Sequence, residues 1–140
     1  MRVIGFNFEK ISVERLKART ENLKINTNID VSEIKEIKNE VLKTKESIIE
    51  VVFSYSIKYE PGLATVDLRG HLVLSLDDKL AKDVLKEWKK KKMPDGFRIS
   101  LFNLILRKAT VKSLQLEDEL SLPLHVPLPS IRPGNPGNEK

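Results

Sequence analysis

The sequence predicts an α+β domain: a four-stranded antiparallel sheet with two C-terminal helices packed on one face. Three observations carry this reading. Four segments before residue 77 hold apolar residues at the period of two that marks a strand with one covered face. A Pro61-Gly62 turn joins the two longest of them, which makes that pair an antiparallel hairpin. Beyond Asp77 the apolar spacing changes to that of helices.

In the first segment, residues 3–9, Ile4, Phe6 and Phe8 share a face against Gly5, Asn7 and Glu9. From Ile11 to Leu16 the period is lost, and a bulge, a turn or a helical turn capped by Ser12 all fit. In residues 22–31 Leu23, Ile25, Thr27, Ile29 and Val31 face one way; Asn22, Lys24, Asn26, Asn28 and Asp30 face the other. That is a strand with one side in water. Residues 32–44 are ambiguous: Ile34, Ile37 and Val41 fit a short helix, and the neighbouring strands could equally extend into it.

Residues 47–59 give the strongest strand pattern, with Ile49, Val51, Phe53, Tyr55, Ile57 and Tyr59 on one face. Residues 63–76 answer with Ala64, Val66, Leu68, Leu72, Leu74 and Leu76, and Gly70 in register. Both strands run about a dozen residues, against ~5–6 for an average strand. Their shared apolar face needs a cover.

Asp77 is the expected N-cap of the first helix, whose stripe is Leu80, Val84, Leu85 and Trp88. Lys89, Lys90, Lys91 and Lys92 close it and suit the negative end of the helix dipole. Met93-Pro94-Asp95-Gly96 breaks the chain, and a second helix is expected from Ile99 to about Leu120. Its apolar residues cover more than one stripe, so it touches two elements of its own domain or another subunit. Leu122-Pro123-Leu124-His125-Val126-Pro127-Leu128-Pro129 is expected to be extended and to pack along a surface. Residues 1–131 read as one domain and 132–140 as a disordered tail.

Composition narrows the function classes. The chain has 140 residues, no cysteine and two histidines. Disulfides, thiol nucleophiles and Cys-ligated metals are excluded, and no Gly-rich phosphate loop or GxSxG elbow occurs. His71 and His125 stand alone and read as structural, and Glu117-Asp118-Glu119 reads as a solvated charge run. No enzyme, cofactor or metal is expected. No apolar stretch is long enough for membrane insertion, so a cytoplasmic location is expected. The abundance of Lys and Glu suits a thermophile.

The net charge of +5 is local: residues 77–112 carry eleven basic and five acidic groups. Lys89, Lys90, Lys91, Lys92 and Arg98, with Arg107, Lys108 and Lys112, could meet phosphates as a nucleic-acid- or ribosome-associated module. No aromatic platform for base stacking accompanies them. The alternative is the apolar face, which the helices cover as a core or which stays partly open as a polypeptide groove.

The order of elements resembles the SecB-like proteins, in particular the small archaeal ones. Tyr59-Glu60-Pro61-Gly62, Asp67-Leu68-Arg69-Gly70-His71-Leu72, Ile25-Asn26-Thr27-Asn28-Ile29, Leu101-Phe102-Asn103-Leu104-Ile105-Leu106 and the Pro-rich end carry the resemblance, which spans residues 2 to about 131. It implies a non-enzymatic holdase without cofactor that forms dimers or tetramers and holds unfolded or nascent polypeptides. Bacterial SecB is acidic, serves protein transport and docks on the translocation motor through its acidic surface. This basic chain lacks the acidic tail, which argues against the export role and leaves the holding role intact. Phe53, Tyr55 and Tyr59 on the strand face, with Phe102 and Leu106 on the helix, are the expected polypeptide contacts.

Overall fold

The computed structural model describes residues 1–16, 21–38 and 46–134. Its elements are β1 (Arg2–Arg15), β2 (Lys24–Ile37), β3 (Glu46–Glu60), β4 (Ala64–Asp77), α1 (Asp78–Trp88) and α2 (Asp95–Glu119). The strands form one antiparallel sheet in the order β1-β4-β3-β2. Both helices follow the sheet and pack on one of its faces, as the sequence predicts.

The centre is the β3–β4 hairpin, paired without interruption from Tyr59↔Ala64 to Glu46↔Asp77. Its turn contains a cis Glu60–Pro61 bond and Gly62 at φ +71. That left-handed conformation suits glycine, which has no Cβ to clash. The alternation holds to the last residue: every predicted inward side chain of β3 and β4 is buried. Strands of 14 and 15 residues give a face about 46–50 Å long. Helix α2, with 25 residues, spans about 37 Å, and α1 covers the remainder.

The two edge strands are longer than their alternation suggests. β1 continues to Arg15, with irregularities at Val3/Gly5 and Phe8/Lys10, and β2 continues to Ile37 past one at Val31/Glu33. Each bulge inserts a residue, so the inward positions step by three there instead of two. Phe8 is followed by Ile11 opposite Leu68, and Val31 by Ile34 opposite Val51. A step of three is also close to one helical turn, which is why these stretches read as turn or helix. Val41 lies outside the described residues.

Asp77 caps α1 as expected, its carboxylate accepting from Leu80 N–H at 2.7 Å. The start of α2 differs from expectation: it begins at Asp95, four residues before Ile99, with Pro94 at the cap position. A proline there removes no intrahelical hydrogen bond. Under the helices lie two apolar clusters. One joins Val51, Phe53, Leu72 and Leu74 to Ala81, Val84, Leu101 and Ile105. The other joins Tyr55, Ile57, Tyr59 and Val66 to Ala109, Leu116 and Leu122.

Gly70 sits where β4 passes beneath the Phe53 ring. A Cβ there would meet the Asn7 carbonyl oxygen and Phe53 Cζ, the latter at 2.9 Å. Gly70→Ala is therefore expected to lower stability by ~1–3 kcal/mol, the range for overpacked cores. Urea denaturation of the variant checks this.

Candidate functional site

Phe53, Tyr55 and Tyr59 are fully buried. Here the strand face is a covered core: α1, α2 and the segment after α2 lie over these rings. They line no open groove in this structure. Phe53 packs against Phe6 and Phe8 at 5.1 and 6.2 Å between ring centroids.

Phe102 and Leu106 are placed differently. The i+4 row Phe97, Leu101, Ile105 and Ala109 of α2 faces the sheet, which turns Phe102 toward β2 and leaves Leu106 one helical turn further on. Leu106 is 44% exposed and Ile99, three residues before Phe102, is 54% exposed. Beside Phe102 a groove of about 460 Å3 runs between α2, the α1–α2 connection and β2, lined also by Asp30, Val31, Ser32, Trp88, Lys91 and Met93. The sequence placed Trp88 in a core stripe and Met93 in a loop. Their joint lining of a groove depends on how α1 meets α2, which no local pattern reports. β2 is the edge strand on this side of the sheet, and its outer edge is unpaired among the described residues.

The expected basic stripe is interrupted. Lys89 caps α1, and the backbone N–H groups of Lys90 and Lys92 return to Glu87 while that of Lys91 returns to Trp88. Lys91 Nζ lies over the Trp88 ring, 4.6 Å from its centroid. Arg98 faces Asp95 at 3.6 Å. Lys86, Lys90 and Lys92 line a hollow together with Asp83 and Glu87. Between Lys86 and Arg98 carboxylates thus separate the cations that phosphate binding would need side by side.

Glu117 departs most from expectation. Read as part of a solvated run, it is 0% exposed. The C-terminal residues of α2 roll that side chain inward, while Asp118 and Glu119 stay outside. Both Glu117 oxygens lie 2.8 Å from His125 Nδ1, and Oε1 accepts from the His125 N–H at 3.2 Å. The Tyr59 hydroxyl lies 2.8 Å from Glu117 Oε2 and 2.5 Å from the Pro123 carbonyl, sharing one proton between two acceptors. Tyr55 meets His125 Nε2 at 3.2 Å.

This network ties down the extended segment after α2. The chain reverses at Ser121 (φ 53), Leu122 N–H bonds the Glu117 carbonyl at 2.8 Å, and the Arg15 guanidinium donates to the Leu120 and Ser121 carbonyls. Leu122 enters the core. The expectation that the Pro-rich end packs along a surface holds for Leu122–His125, whereas Leu128 and Ile131 are exposed. Burial, and then the Glu117 carboxylate, raise the Tyr59 hydroxyl well above its ordinary value of 10.0. Burial raises Tyr55 as well, a hydrogen bond with Thr110 working against it.

Among the described residues no His, Cys, Asp and Glu group could hold a metal, and no helix is long and apolar enough to cross a membrane. His71 pairs with Glu9 across the β1–β4 ladder.

No protein-family model and no curated protein matches the chain. Among solved structures it is similar to the Mycobacterium tuberculosis Rv1957 SecB-like chaperone in complex with a ChAD peptide from the Rv1956 HigA1 antitoxin. The match covers 94% of this chain and 91% of that one at 12% identity, with a TM-score of 0.49. A likeness of that degree carries no argument about ligand or assembly, and its mycobacterial source gives no support to an archaeal grouping.

Two outcomes are expected. Glu117→Ala removes the carboxylate that His125 bonds through Nδ1 and its backbone N–H and leaves Tyr59 only the Pro123 carbonyl, and lowers stability by ~3 kcal/mol, as denaturant titration would show. Tyr59 keeps its proton more strongly folded than unfolded, so its contribution is complete below about pH 10 and falls as pH rises above it. The melting temperature therefore drops on alkaline titration, and less steeply in Tyr59→Phe.

Proposed function

We propose that the protein is a non-enzymatic polypeptide-binding chaperone that holds non-native segments through apolar surface on α2. The supporting observation is the groove of about 460 Å3 lined by Val31, Trp88, Met93 and Phe102, continued on α2 by the exposed Ile99 and Leu106. An apolar strip beside a strand edge that is unpaired among the described residues suits an extended chain, since the edge offers main-chain hydrogen bonds and the groove takes alternate side chains. The floor is held rigidly from below by the sheet core.

The expected affinity is modest. Burying about 300 Å2 of apolar surface yields ~7 kcal/mol before the cost of association, which suits transient holding. Assembly into dimers or tetramers would add avidity, and static light scattering of the purified chain reports it. Of the residues named from sequence, Phe102 and Leu106 serve as contacts in this reading, and Phe53, Tyr55 and Tyr59 act by supporting the sheet beneath them.

Suppression of aggregation of a chemically unfolded client is the direct assay. The wild-type chain at several-fold excess is expected to suppress light scattering, and a chain without effect would end the chaperone reading. Ile99→Glu combined with Leu106→Glu is expected to weaken client affinity about tenfold or more while leaving the melting temperature nearly unchanged, because both side chains are exposed.

A further inference from the structure

On the other flank of α2, toward β1, lies a second groove of about 310 Å3 lined by Phe8, Arg107, Lys108, Val111, Lys112 and Gln115. Its charge is one-sided. The hollow at the α1–α2 connection mixes lysines with Asp83 and Glu87, and the groove beside β2 sets Asp30 against Lys91. Here three cations line the surface with no carboxylate among them. None of the three has an ion-pair partner among the described residues.

Folding gives no reason for that cluster. Lys108 and Lys112 form an i,i+4 like-charge pair, which weakens a helix. They lie mid-helix, and the last turn of α2, where cations would offset the dipole, has no basic residue. The floor between them is apolar. Val111 is 56% exposed, and Lys108 Nζ stands 5.9 Å from the centroid of the Phe6 ring at the groove's edge. Phe8 is half-buried and packs in T-shaped contacts with Phe6 and Phe53, so only part of its ring reaches the groove.

We propose that this groove binds an acidic, apolar polypeptide segment, its carboxylates paired with Arg107, Lys108 and Lys112 and its apolar side chains set against Phe8 and Val111. The proposal rests on the polypeptide-binding reading above and names a client class for it. A nucleic-acid backbone would also answer the cations, but the half-buried Phe8 is the one aromatic ring lining this groove and a poor platform for a base, and the exposed Val111 gains nothing from a sugar–phosphate chain.

Fluorescence anisotropy with the full chain tests this, using three labelled peptides of equal length and apolar content that carry Glu, Ser or Lys at their polar positions. The Glu peptide is expected to bind at least about tenfold more tightly than the Lys peptide, with the advantage shrinking as salt shortens the Debye length. Lys108→Glu with Lys112→Glu should reverse the order of the two peptides without changing the melting temperature, and Arg107→Gln should reduce the advantage in part. Equal binding of all three peptides would overturn the charge selection and leave polypeptide binding standing. Binding of none would remove both. Single-stranded RNA that displaces the Glu peptide, and loses its own binding in the double variant, would overturn the proposal in favour of nucleic acid.

Discussion

The unbroken register of β3 against β4 is the constraint on which the rest depends. Fourteen residue pairs in step, from Glu46↔Asp77 to Tyr59↔Ala64, put an apolar side chain inward at every second position of both strands, Ser47 and Gly70 excepted. A face of that length would be insoluble bare, since exposed apolar patches on monomers seldom exceed a few hundred Å2. It therefore dictates a long second helix and fixes which side of that helix is spent on the core. What remains on the other sides of α2 is surplus: Ile99 and Leu106 outward, Phe102 toward β2, and Val111 toward β1. The two grooves flank the same helix because the helix sits over the hairpin.

The far end of the sheet is finished differently. There α2 ends and an extended segment completes the cover, and a buried carboxylate with a histidine and a tyrosine holds that segment in place. Such a network specifies one arrangement only if its members are paired, because each buried polar group left alone is costly. Here Glu117 has three partners, and Tyr59 reaches both the helix and the strap. Leu122 supplies the apolar contact, and the polar groups set the path.

The parts of this fold that were legible in the sequence are those governed by local periodicity. The β3–β4 hairpin, the Asp77 cap and both helices follow from spacing alone. The edge strands were legible only up to Glu9 and Ser32, where an inserted residue changes the step between inward positions and erases the period; the bulge at Ile4 was read through, and it is Val3, opposite Leu74, that shares the register of Phe6 and Phe8. The candidate site was legible in halves. Phe102 and Leu106 belong to a helix with more apolar residues than one stripe can use, and that excess is visible in sequence. Trp88 and Met93 join them only through the angle between α1 and α2. Glu117 was illegible for another reason: its partners are 58 residues before it and 8 after it in the chain, and nothing in an acidic triplet marks which carboxylate turns inward.

The place of β1 in the sheet has a consequence for how the chain is made. β1 is synthesised first, yet its partner is β4, so Arg2 waits for Ser75 and Arg15 for Ala64. At about 5–20 residues per second, the stretch from Arg15 to Asp77 takes ~3–12 s to emerge. During that interval Ile4, Phe6, Phe8 and Ile11 belong to a strand with no partner, while β2, β3 and β4 can pair with their neighbours as they appear. Closing the β1–β4 loop also brings Phe6 and Phe8 onto Phe53. Ring packing at that corner therefore waits for β4, and of the four strands β1 goes longest without its partner.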